Sequence, residues 1–221
     1  MHIQTSEQSP LNLGFGNYTC NWGTHFCGLY ESETERDEII MGYLSEGAKA
    51  GDLQLYCPVE RSADEFRDTF ATCCPSCAAH LNSPDRFQLL SARNLYYPNG
   101  SFSPWAMDDG LNSFFEESQR NGKQHIRATA EMAWALEAIP GVEHLMAYES
   151  RLNYFIAGKP WISICLYNVN KFDGKTILQV LQTHPFIISQ GIVTENPFFI
   201  NPDTWLAKYA PQFMQREHSQ Q

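Results

Sequence analysis

No stretch of the 221 residues stays apolar for the ~20 positions that a membrane-spanning helix needs. The opening residues, Met1 to Gly14, are polar and lack the basic-then-apolar pattern of an export signal. These two absences predict a cytoplasmic protein with no membrane partner. Charge is sparse at 18% of residues, and the basic sign is the scarcer one. Fifteen Lys and Arg stand against 25 Asp and Glu, a net charge of −10. A nucleic-acid surface needs a basic face, so direct binding to nucleic acid is not expected. There is no G-x-G-x-x-G and no G-x-x-x-x-G-K-[ST], which argues against dinucleotide binding and ATP hydrolysis. The chain also lacks G-x-S-x-G, so no serine-hydrolase signature supports an enzyme.

Apolar residues make up 43% and aromatics 13%, a globular composition with enough rings to fill a core or line a pocket. No Pro/Gly/Ser linker, low-complexity block or solenoid repeat divides the chain. The organisation expected is a loose lead-in over 1–20, a single domain over 21–211 and a frayed tail over 212–221. The seven cysteines are an odd number, and without an export signal they are expected to be reduced thiols.

Hydrophobic patterning alternates between periods of two and 3.6. Strands are expected at His25–Tyr30, Leu53–Cys57, Phe87–Ala92, His125–Met132, Trp161–Tyr167 and Phe186–Val193. Between them, Ser32–Glu35 and Ser62–Glu65 read as capping boxes that open helices. Pro104 opens a third helix through Phe115. Leu145, Tyr148, Leu152 and Phe155 mark a fourth, and Gly174–Thr183 a fifth. Strands alternating with helices predict an α/β fold, with a mostly parallel central sheet and helices on both faces. The loop Pro58–Arg61 sits where a nucleotide-binding protein would cradle phosphate, yet it has no glycine, and Glu60 would repel the ligand.

Several residues carry potential chemistry. Cys74-x-x-Cys77-x-x-His80, with Cys73 beside it, has zinc-compatible spacing and also permits thiol redox chemistry or simple packing. His25 and Cys27 lie two apart on a strand and share a face. Arg127 and Glu131 share a face of a later strand, as a structural ion pair or as part of a ligand site, with Trp134 just beyond. Tyr148 fits the apolar stripe of its helix, and Glu149 next to it can reach a neighbour or a cleft. His184-Pro185 ends a helix, where a histidine suits the negative end of the dipole.

In order along the chain stand His25-x-Cys27-x-x-Tyr30, Gly42-Tyr43-Leu44, Gly51-Asp52-Leu53-Gln54-Leu55-Tyr56, Tyr97-Pro98-Asn99-Gly100, Arg127-x-x-x-Glu131-Met132-x-Trp134, Tyr148-Glu149-x-x-Leu152-Asn153, Cys165-Leu166-Tyr167-Asn168 and His184-Pro185-Phe186. This series, over roughly residues 23–200, resembles the MEDS family, the methanogen/methylotroph DcmR-type sensory domain. The resemblance implies a signal-input domain with a RecA/KaiC-like layout and no functional P-loop. It implies sensing of small hydrocarbon derivatives in one-carbon metabolism, and output through a DNA-binding or kinase domain. No such output segment is recognisable in this chain, so a partner regulator or histidine kinase, or a homo-oligomer, is expected to carry the signal. On this reading the ligand-binding residues are His25, Cys27, Tyr30, Arg127, Glu131, Trp134, Tyr148 and Glu149, with no cofactor. The alternative is a zinc- or redox-dependent enzyme or sensor on Cys74, Cys77 and His80, a cluster outside the shared phrases.

Overall fold

The computed structural model describes residues 11–16, 18–122 and 125–214. Of the expected lead-in over 1–20 and tail over 212–221, residues 1–10, 17 and 215–221 lie outside the described residues, while Phe213 is buried and belongs to the fold. In chain order the strands and α-helices are β1 Leu11–Asn12, β2 Thr19–Cys20, β3 His25–Tyr30, α1 Glu33–Ala50, β4 Leu53–Cys57, α2 Ala63–Cys73, α3 Ala78–Leu81, β5 Phe87–Leu89, α4 Ala92–Tyr96, α5 Pro104–Arg120, β6 Ile126–Glu131, α6 Leu145–Ile156, β7 Trp161–Asn168, α7 Gly174–Thr183, β8 Phe186–Ser189, β9 Ile192–Glu195 and α8 Pro202–Tyr209. Seven strands form one sheet in the order β5-β4-β6-β7-β3-β8-β9. Every pairing is parallel except β8 with β9. The mixed α/β architecture with a mostly parallel sheet is therefore as expected.

Local chemistry explains the element boundaries. The Ser32 hydroxyl accepts from the Glu35 N–H, and Gly51 in the left-handed region closes α1. Ser62 and Glu65 complete a reciprocal capping box on α2. Asp173 caps α7 through the Thr176 N–H. Each strand that is buried on both sides divides its side chains between two cores. Phe26, Tyr30, Tyr56, Ile162, Ile164 and Leu166 pack with α1 and α2. Cys27, Leu55, Cys57, Cys165 and Tyr167 pack on the opposite face with residues of α5, α6 and α8.

Three boundaries differ from the sequence reading. Residues 11–16 and 18–20 are not loose: β1 pairs with β2, and Leu13 is fully buried. The strand read over Phe186–Val193 turns back at Gln190–Gly191, both at positive φ, and becomes the β8–β9 hairpin. The strand begun at Phe87 stops at Leu89, because Ser91 caps a new helix by accepting from the Asn94 N–H. Helix α8 also went unread, although Asn201 caps it and Pro202 occupies its first position.

The amino-terminal hairpin is held against α1 at a glycine contact. A Cβ at Gly42 would lie 2.5 Å from the Gly14 carbonyl oxygen. Helix propensity alone would have Gly42→Ala stabilise by about 1 kcal/mol. The close backbone approach predicts the reverse, a loss of about 1–3 kcal/mol. Urea denaturation gives the sign, and a stabilised variant would show that the hairpin does not pack as described.

Candidate functional site

A fully buried polar cluster lies on the α6 side of the sheet. Cys27 and Cys165 are partners in the parallel β3–β7 ladder, and His25 stands opposite Ser163. The period of two aims His25, Cys165 and Tyr167 at the same side. Glu149 descends from α6 to meet them, and His184 enters from the residue after α7. His25, Glu149 and His184 are wholly inaccessible to solvent. The Glu149 Oε2 lies 3.4 Å from His25 Nε2 and 3.5 Å from His184 Nε2. Cys165 Sγ is 3.4 Å from that same oxygen and 3.4 Å from His25 Nε2. Tyr167 donates its hydroxyl to Glu149 Oε1 at 2.5 Å. The two imidazoles tilt against each other with centroids 4.1 Å apart.

Burial dominates the electrostatics. It lowers His25 to about 4, and His184 beside it acts in the same direction. Burial also works to raise Glu149, but His184 and His25 override it and hold the carboxyl far below its usual range. The Cys165 thiol is pushed well above its ordinary value, first by burial and then by the Glu149 charge. His184 Nδ1 faces the Val180 carbonyl at 2.7 Å, which can only accept. The carbonyl requires a proton on Nδ1, and Nε2 is directed at Glu149 at 3.5 Å.

Cys165 also forms part of the wall of an apolar cavity of about 40 Å³, with Leu55, Cys57, Met107, Leu111 and Tyr148. Roughly 10–15 Å³ on this measure holds one water, so the space suits a molecule of a few heavy atoms. Tyr96 is in the wall too, and its ring stacks on Trp134 at 4.4 Å. Tyr148 meets Phe102 edge to face at 5.9 Å. Tyr148 thus faces the cavity directly, whereas Trp134 backs the wall through Tyr96.

The remaining predicted residues divide elsewhere. Glu131 ends β6 on the opposite face of the sheet. It accepts from the Tyr56 hydroxyl at 2.5 Å and from the Val59 and Glu60 N–H groups at 2.7 and 2.5 Å, with Arg36 Nε 3.6 Å away. Tyr30 donates to Glu60, which also pairs with Lys171. Arg127 does not pair with Glu131. Four residues of strand separate them by about 13 Å, and Arg127 instead binds Asp52 at 2.6 Å and the Asn12 carbonyl at 2.9 Å. Arg127 is therefore a buried brace between β6, α1 and the amino-terminal hairpin. Cys27 lies next to His25 along β3, but its thiol turns to the Phe186 carbonyl at 3.6 Å.

The cysteine cluster is also corrected. Cys74 and Cys77 form a disulfide, so the expectation of reduced thiols fails for this pair. Neither sulfur is a free thiolate, and the zinc arrangement of Cys74, Cys77 and His80 loses two of its three ligands. His80 is buried, with both ring nitrogens unpartnered. Cys73 is exposed and free. Two residues of the buried cluster were not selected from sequence: Cys165, hidden in the most apolar strand, and His184, read as a helix terminator. The helix-end reading is correct as far as it goes, because His184 Nδ1 does meet a carbonyl in the last turn of α7.

The strand order and the helices on both faces define a KaiC/RecA-like α/β domain. The fold is shared with a KaiC-like protein of Pyrococcus horikoshii, at 12% identity and a TM-score of 0.56 over 81% of this chain and 79% of that one. An uncharacterised protein of the same organism, solved with an unknown peptide, gives 14% and 0.55 over 77% and 78%. Within that class the chain belongs to the MEDS family, the methanogen/methylotroph, DcmR sensory domain, whose model matches residues 24–185. It is also 26% identical over 167 residues to the transcriptional repressor DcmR of Methylorubrum extorquens. That match takes in 72% of this chain but 57% of the repressor, so the chain spans little more than half of its relative's length. The family is that of a sensory domain. No described helix is long and apolar enough to cross a membrane.

Two predictions follow from this geometry. Native protein treated with a maleimide should label at Cys73 far faster than at Cys27, Cys57 or Cys165, with Cys74 and Cys77 unlabelled until reduction; peptide mass mapping reads all six. Glu131→Gln should destabilise by about 1–3 kcal/mol, because an amide NH₂ replaces an acceptor among three donors. Hydrogen exchange at Val59 and Glu60 should accelerate in the variant, and unchanged protection there would remove Glu131 as the anchor of that loop.

Proposed function

We propose that this domain senses a small, fairly apolar molecule, a hydrocarbon derivative of the size met in one-carbon metabolism, in the cavity beside Cys165. The observation that carries the reading is the shared wall. An apolar chamber for a few heavy atoms touches a buried His–Glu–Cys–His cluster through one side chain. Ligand sites combine apolar walls with a few convergent polar groups in this way. A ligand that presses on Cys165 acts on Glu149 and thereby on α6, β3 and the α7–β8 junction. It signals only if it favours one of two conformations of those elements.

The helix start after β3, a place other than the Pro58–Arg61 loop read from sequence, is also unsuited to phosphate. The first turn of α1 carries Glu33 and Glu35, and the Glu35 carboxylate accepts the Glu31 N–H at 2.7 Å. A helix start of this kind ordinarily welcomes phosphate, but here carboxylates already occupy it. The output we propose is a protein contact, with a regulator or histidine kinase as partner. Leu178 on α7 and Ile192 in the β8–β9 hairpin are apolar side chains more than half exposed, and they are candidates for that contact. Within this reading the domain acts without catalysis.

A panel of one- to three-carbon alcohols, aldehydes and halides tests the reading by thermal shift. At least one should raise Tm saturably, by the amount its affinity dictates. Ala130→Leu, which adds bulk to the cavity wall, should abolish that shift while leaving the protein folded. No saturable shift from any member, or a shift indifferent to Ala130→Leu, would overturn the assignment of the cavity.

A further inference from the structure

We infer that His25, Glu149, Cys165 and His184 form a site for one divalent transition-metal ion of the zinc class. One ligand atom from each of the four, all buried, lies within 4.8 Å of every other. A tetrahedron with bonds of about 2.0–2.3 Å has edges of about 3.3–3.6 Å. The separations His25 Nε2–Glu149 Oε2, His25 Nε2–Cys165 Sγ and Cys165 Sγ–Glu149 Oε2 are each 3.4 Å, and His184 Nε2–Glu149 Oε2 is 3.5 Å. Four of the six edges thus match the tetrahedron.

The hydrogen bonding points the same way independently. The Val180 carbonyl, 2.7 Å from Nδ1, requires the proton of His184 to sit there. With a neutral ring, the Nε2 lone pair then faces the Glu149 oxygen at 3.5 Å. Two lone pairs directed at one another in a dry interior demand a cation or a proton. A histidine that gives its second N–H to a backbone carbonyl is also how proteins orient a metal ligand. Tyr167 supplies the matching support on Glu149, donating to Oε1 and leaving Oε2 for the ion.

Charge closes the argument. On binding, the Cys165 thiol gives up its proton to solvent as the metal–sulfur bond forms. A dication with one thiolate, one carboxylate and two neutral imidazoles then carries no net charge, which suits complete burial. Two nitrogens, a sulfur and an oxygen form a donor set of mixed softness suited to zinc, not to calcium or magnesium. Cys165 would couple the ion to the cavity next to it. The metal assignment itself rests on the cluster alone and not on the sensory reading.

The test is elemental analysis of chelator-free protein after zinc loading and dialysis, followed by cobalt(II) substitution. The expected result is about one zinc per chain and a cobalt spectrum with a thiolate charge-transfer band. Cys165→Ser should lose that band while the ligand-field bands survive. His184→Gln should weaken binding at least about tenfold in chelator competition, with circular dichroism confirming the fold. The double variant Cys74→Ser/Cys77→Ser should keep the metal. Zinc that washes out of the wild type, a cobalt spectrum without the thiolate band, or metal lost with the Cys74/Cys77 pair instead would overturn the site. Running the thermal-shift panel on zinc-loaded and chelator-stripped protein separates the two readings: a saturable ligand shift in a chain that retains no zinc overturns only the metal, and retained zinc with no ligand shift in either form overturns only the cavity.

Discussion

A carboxylate with no access to water is the constraint around which this domain is arranged. Glu149 lies at the centre of α6 and is wholly buried. An unpaired charge in that position would cost far more than the few kcal/mol by which a domain is stable. Its partners therefore have to be in place whenever the domain is folded. They come from β3, β7 and the residue that begins the approach to β8, so one carboxylate ties three adjacent strands to the helix above them. Tyr167 and Cys165 reach it because they alternate on one strand, and His25 because β3 runs parallel beside that strand.

The sheet keeps two polar systems apart. On the α6 face, the buried cluster meets an apolar cavity through Cys165. On the α1 face, Glu131 gathers the loop after β4, while Arg127, at the other end of the same strand, braces Asp52 and the amino-terminal hairpin. Glu131 and Arg127 hold backbone in position and have their hydrogen-bonding capacity largely consumed. The α6 cluster differs: His184 Nε2 and His25 Nδ1 have no hydrogen-bond partner. Unspent capacity next to a cavity is what a site for a ligand or an ion needs.

Much of the fold was legible because its signals are local. Capping boxes at Ser32 and Ser62, the apolar run of β7 and the glycine and proline stops place most elements to within a residue or two. The hairpin at Gln190–Gly191 was not legible, since a non-glycine residue at positive φ gives little local warning. The site was half legible. His25 and Glu149 stand in phrases that resemble the family, and they do come together. Arg127 and Glu131 share a face, as their spacing demands, but four residues of strand put them about 13 Å apart, and each found a different partner. Cys165 and His184 stand in such phrases too, but their neighbours obscured their roles, one inside a mostly apolar strand and one at a helix terminus. The Cys74–Cys77 spacing admits a bridge as readily as a metal, and in the fold the two sulfurs bond to each other.

The central claim is that the input is received on the α6 face, at the cavity and the Glu149 cluster. The most direct measurement is a ligand titration followed by NMR, with the imidazole nitrogens of His25 and His184 and the Cβ of Cys165 resolved alongside the backbone amides of Val59 and Glu60. A small apolar molecule that raises Tm should shift the histidine and Cys165 signals first and most, with the Val59 and Glu60 amides responding weakly. Shifts concentrated at Val59, Glu60 and Tyr30, with His25, His184 and Cys165 unmoved at saturation, would contradict the account and place the input on the opposite face of the sheet.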